Sequence, residues 1–117
     1  MSYDIYFRDA VSQEIIALPY KHQMFGATYC VGGTEELRFN ITFNYAGIYD
    51  QYGFHVAQLS GLTAVAAMPI LEGVITRLDD DVTENYWEAT EGNAKQALVK
   101  LLTMCQLMPD AVIDVRY

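Results

Sequence analysis

Positive charge is scarce in this chain. Seven Lys and Arg stand against fifteen Asp and Glu in 117 residues, a formal net charge of −8. Direct nucleic-acid binding is therefore not expected, because phosphate contacts need clustered basic side chains. Cysteine is scarce too. Cys30 and Cys105 each sit among apolar neighbours, the setting of small buried thiols, although their spacing leaves a disulfide open. Only two histidines occur, His22 and His55, and there is no His-x3-His or Cys-x2-Cys spacing to seed a metal site. No P-loop, Gly-x-Ser-x-Gly or dinucleotide fingerprint is present. No metal, cofactor or catalytic residue is assigned on this basis, and whether the chain is an enzyme is left open. No apolar run approaches the ~18 residues of a membrane span, so no membrane association is expected. Met-Ser-Tyr-Asp-Ile at the start has neither the basic nor the apolar region of a secretory leader. The expected compartment is a cytoplasm (the host's, if the chain is phage-encoded), where the Asn40-Ile41-Thr42 sequon carries no glycosylation meaning.

What the chain does have is aromatic and apolar. Hydrophobic residues make up 52% and charged residues 19%, which excludes a disordered polymer and supplies a core for one domain, 1–117. Residues 37–45 alternate strictly. Leu37, Phe39, Ile41, Phe43 and Tyr45 would face one way and Arg38, Asn40, Thr42 and Asn44 the other, a strand with one greasy and one hydrogen-bonding face. Twelve of the fifteen aromatic residues lie at or before Phe54, which favours sheet there. Tyr3–Phe7 and Glu14–Leu18 read as strands joined by an Arg8–Gln13 loop, and Thr28–Val31 as a third before a Gly32-Gly33 turn. Residues 3–45 thus suggest an antiparallel meander.

The period then changes. Ile70, Leu71, Val74, Ile75 and Leu78 mark a helical stripe. Pro69 is either a kink in a helix capped by Thr63 or the first residue of a shorter one. Ala94, Ala97, Leu98, Leu101, Leu102 and Cys105 mark a second helix, with Thr90 as N-cap, Glu91 in the first turn and Pro109 as the stop. Residues 46–53 fit a short helix or a loop, and Ala111–Arg116 a last strand. The expected class is α+β, an antiparallel sheet of about four to five strands with two main helices on one face.

Three groups of residues carry functional weight. Asp79, Asp80, Asp81, Glu84, Glu88 and Glu91 fall within thirteen residues that contain no Lys or Arg. Their spacing does not fit a calcium loop. The ordinary reading is a solvated loop; the functional one makes Asp79, Asp80, Asp81 and Glu84 a docking face for a basic partner. Next, the only tryptophan lies in Tyr86-Trp87-Glu88, followed by Glu91 and Asn93. Trp87 either plugs the core or anchors an interface. Gly92 in a helix's first turn is disfavoured by about 1 kcal/mol against Ala, which suggests close backbone approach. Last, Arg38, Asn40, Thr42 and Asn44 form either a solvated sheet face or, with His22, a shallow binding surface.

Several segments resemble a family of small uncharacterised phage and bacterial proteins. The matching residues are His22-Gln23-Met24 with Gly26, Thr28-Tyr29, Gly32-Gly33-Thr34, Asn40 to Tyr45, Pro69 to Glu72, Tyr86 to Lys95, and Pro109-Asp110. In that pattern a Gly often replaces Ala27, and a Gly and a Trp often stand at Ala111 and Ile113. The resemblance implies a phage or prokaryotic cytosolic origin and no established activity. Charge and resemblance together suggest an accessory factor that binds a protein. Its target would be a host defence or nucleic-acid-handling protein, as for an anti-CRISPR, or a toxin, as for an immunity protein. The competing expectation is a small-ligand module or enzyme using the amide-rich strand and the Tyr-Trp-Glu segment. Self-association is a third.

Overall fold

The computed structural model describes residues 2–16, 28–30, 37–85 and 87–117, with backbone alone for 28–30 and 37–39. His22, Tyr86 and the glycines at 26, 32 and 33 lie outside the described residues. The fold is α+β. Strands β1 (Ser2–Arg8), β2 (Thr28–Cys30), β3 (Leu37–Thr42) and β4 (Val112–Arg116) form an antiparallel sheet in the order β2-β3-β1-β4. Helices α1 (Ala46–Asp50), α2 (Ala64–Ile75) and α3 (Glu91–Leu107) follow β3.

Alternation decides which face of the sheet is covered. Ile5 and Phe7 on β1, Ile41 on β3, and Ile113 and Val115 on β4 are buried in one core with Ala67, Leu71, Leu98 and Leu101 from the helices. Intervening residues face the other side. The register sets Asp4 opposite both Asn40 and Arg116, and Tyr6 opposite both Arg38 and Asp114. The expected meander is corrected in its order, because β1 is an interior strand between β3 and the C-terminal β4. At the end of β1 the Asp9 carboxylate accepts from the amides of Val11 and Ser12, and Gln13 takes φ 65°. These turn the chain so that Ile15 bridges back to Arg8. Residues 17 and 18 of the expected second strand lie outside the described part.

The long alternating strand is also corrected. It ends at Thr42, whose hydroxyl accepts from the Asn44 amide and caps a 3-10 turn, Phe43–Tyr45, that runs into α1. The reason lies in the aromatic spacing. Ile41, Tyr45 and Tyr49 suit a helical period as well as an alternating one. Burying Tyr45 and Tyr49 together gives an edge-on aromatic pair at 6.1 Å, extended to Phe54 at 5.4 Å. The Tyr49 hydroxyl donates to the Ala94 carbonyl of α3 at 2.8 Å, and burial raises its pKa well above the ordinary 10.0.

Thr63 caps α2 by accepting from the Ala66 amide, so Pro69 lies inside the helix rather than at its start. Its ring leaves the Val65 carbonyl without a helical donor, at a residue open to water. Segment 60–65 seals the free edge of β4. The Gly61 amide donates to the Ile113 carbonyl, the Ile113 amide to the Leu62 carbonyl, and the Val115 amide to the Ser60 hydroxyl. A covered edge cannot template further strands. Cys105 is a free buried thiol on α3, pushed up to about 12 by desolvation and hence inert as a nucleophile.

Candidate functional site

The acidic segment and the start of α3 form one structure. Thr90 caps the helix by accepting from the Asn93 amide at 3.1 Å. The Asn93 side chain, only 4% exposed, points back into the preceding loop. Its Oδ1 accepts from the Thr83 amide at 3.1 Å. Its Nδ2 donates to the Thr83 hydroxyl and to the carbonyls of Asn85 and Glu88, at 2.9, 3.1 and 3.1 Å. One buried amide thus finds partners for both its Oδ1 and its Nδ2 in three loop residues. Such a group is stabilising when fully paired and expensive when a partner is lost. Gly92 explains itself beside it. A Cβ there would stand 2.6 Å from backbone atoms of Asp81 and Val82, and the Gly92 amide donates to Asp81 Oδ1 at 2.8 Å. The loop backbone lies directly on the helix's first turn, where only glycine leaves room.

Most of the acids are engaged. Glu91 Oε1 accepts from the Asp79 amide at 3.0 Å and from the Tyr52 hydroxyl at 2.9 Å. The latter bond, aided by burial, raises the Tyr52 pKa above 10.0. Asp80 pairs with Lys95 Nζ at 2.8 Å. Glu88 accepts from Asn85 Nδ2 at 3.1 Å. The arrangement suits helix electrostatics, since Asp81 and Glu91 sit at a helix N-terminus where negative charge is favoured. The exposed side chains of the loop include Asp79, Asp80, Glu84 and two large apolar groups, Trp87 at 52% and Val82 at 48% exposure.

The two segments singled out from the sequence come together in space. Asn44 Nδ2 donates to the Trp87 carbonyl at 2.7 Å. Asn40 goes elsewhere, donating to Ser2 Oγ at 2.6 Å and Asp4 Oδ1 at 2.8 Å. Thr42 is spent on its cap. Arg38 is placed on β3 opposite Tyr6, with its backbone alone described. Neither His22 nor Tyr86 falls within the described residues. Further along the sheet face, Asp114 accepts from Arg8 at 2.8 Å and Arg116 at 3.2 Å. Arg116 also lies 4.6 Å from the Tyr6 ring centroid. Burial works to raise the Asp114 pKa, but the Arg8 hydrogen bond and the Arg116 charge outweigh it and hold it below 3.8.

Sequence reasoning missed Tyr52, Thr83, Arg8, Asp114 and Arg116. None carries a local signal, since each owes its role to a partner distant in the chain. Asn93 was singled out, but not as the buried centre of the loop. Among the described residues no cluster of three His, Cys, Asp or Glu side chains could hold a metal ion, and no helix is long and apolar enough to cross a membrane. Comparison of the chain with protein-family models, curated proteins and solved structures gives no match.

Proposed function

We propose that this is a small acidic accessory protein that works by binding another protein, with the 79–91 loop as its docking face. One observation carries the reading: the loop is fastened to α3 through the buried Asn93 side chain and presents an exposed Trp87 together with the exposed carboxylates of Asp79, Asp80 and Glu84. A partly exposed tryptophan on a pre-organised frame is the usual anchor of an interface, because little ordering entropy remains to be lost on binding. The surrounding acids favour a partner of positive charge and would steer its approach. The sequence resemblance supports a phage or mobile-element setting in a prokaryotic cytoplasm. There the partner would be a nucleic-acid-handling defence protein or a toxin, blocked by occlusion.

The ligand-module reading finds less support, because the flagged amides are used internally. Asn40 serves Ser2 and Asp4, Asn44 serves the Trp87 carbonyl and Asn93 serves the loop. The test is capture of partners by the tagged protein from host lysate at low and high salt, alongside Trp87→Ala and Glu84→Lys variants. The expected result is one basic protein held at low salt, weakened at high salt and lost from Trp87→Ala. A complex indifferent to salt and to both substitutions, or none at all, contradicts the reading.

A further inference from the structure

A second site lies beside the loop, on the outer side of α3. Asp80 and Val82 from the loop and Lys95, Gln96, Val99 and Lys100 from the helix line an open groove of about 400 Å³. Val82 and Val99 are 48% and 41% exposed there. Among the residues whose side chains are described, the other Lys and Arg have partners. Arg8 and Arg116 share Asp114, Lys95 holds Asp80, and Arg77 lies over the Tyr52 ring. Among those described side chains Lys100 alone has neither an acid nor an aromatic ring, although it is half-buried and the chain carries fifteen acids. Desolvation lowers its pKa from 10.5, as it does for an ammonium that has lost water without gaining an anion.

We propose that this groove binds a small monocarboxylate with an apolar body, its carboxylate on the Lys100 ammonium and its body over Val82 and Val99. The volume suits a small ligand. Gln96 adds an amide donor at the rim. A monoanion fits better than a phosphate, because Asp80 already neutralises Lys95 and leaves one uncompensated positive charge. The groove shares Asp80 and Val82 with the docking loop, but the proposal does not depend on that reading. A free organic acid and the C-terminal carboxylate of a peptide share this chemistry.

The experiment is an NMR titration of the whole chain, following the Lys100 Cε and the Val82 and Val99 methyl resonances. The probes are hexanoate, hexanol, hexylammonium, and a short peptide ending in leucine as the free acid or the amide. Saturable shifts with hexanoate or the free-acid peptide, absent with hexanol, hexylammonium and the peptide amide, are expected. The tighter of the two binders identifies the source as free acid or chain terminus. Lys100→Met, which keeps the aliphatic stem, should weaken binding about tenfold or more, and its unchanged amide spectrum elsewhere would show an intact fold. Shifts equal for hexanoate and hexanol, no saturable shift with either acid, or unchanged affinity in Lys100→Met would overturn the proposal.

Discussion

The loop before α3 and the outer face of the sheet are both held by polar side chains, yet they are built on different principles. In the loop, one neutral amide that is nearly excluded from water bonds to three backbone groups and a hydroxyl. On the sheet, charged groups about a quarter exposed at Arg8 and Asp114 meet across paired strands. The first network fixes the path of a chain segment. The second links side chains whose backbones the sheet already fixes. Loss of one member should therefore release the loop as a unit but leave the sheet intact.

Replacing Gly92 should separate the two regions most sharply. Gly92→Ala would normally gain helix propensity, yet its methyl would meet the Asp81 and Val82 backbone at 2.6 Å. A loss of about 3 kcal/mol in denaturant unfolding is expected, through displacement of the loop. Gly73→Ala in α2 is the matched control, with nothing within 4 Å of its new Cβ. It should gain up to about 1 kcal/mol.

Asn93→Ala comes next, at about 2–3 kcal/mol, since it strands the Thr83 amide and two carbonyls inside the helix–loop contact. The lone tryptophan sits in the same loop, so its fluorescence should change with this variant before global unfolding. Coincident loss of fluorescence and helical signal at one denaturant concentration would argue against a separate loop unit.

The smallest effect belongs to the sheet face. Asp114→Asn should lower stability by about 1 kcal/mol or less at neutral pH. Because the folded carboxyl lies below 3.8, the wild-type advantage is complete above that pH. It fades as the pH falls through the lower folded value. Parallel acid titrations of the two proteins, followed by denaturant midpoint, would check the sign. A gap that widened on acidification would contradict it.

How much of this was legible follows the same division. Local patterns announced themselves. Tyr3–Phe7 reads as a strand and Thr90 as the N-cap of α3, whereas the start of α2 stays open between Thr63 and Pro69 until the Thr63 cap decides it. An out-of-place Gly92 correctly signalled close backbone approach. Long-range facts did not show. Nothing near β1 says that β4 will pair with it, so the Arg8–Asp114 contact across 106 residues was invisible. The end of β3 was hidden because Tyr45 satisfies two periods at once. Asn93 reads as a polar surface residue in a helix's first turn. Only the approach of residues 81–88 makes it the buried centre of the site.

The most direct test of the central claim, an acidic loop fastened to α3, is amide hydrogen exchange at Thr83, Asp79 and Gly92. Each donates to a side chain of the clasp: Asn93, Glu91 and Asp81 respectively. The account predicts protection at all three in the wild type. In Asn93→Asp, which keeps an acceptor but loses the donating amide, their protection should fall together while the core of α3 stays protected. Exchange of these amides at unprotected loop rates in the wild type would contradict it.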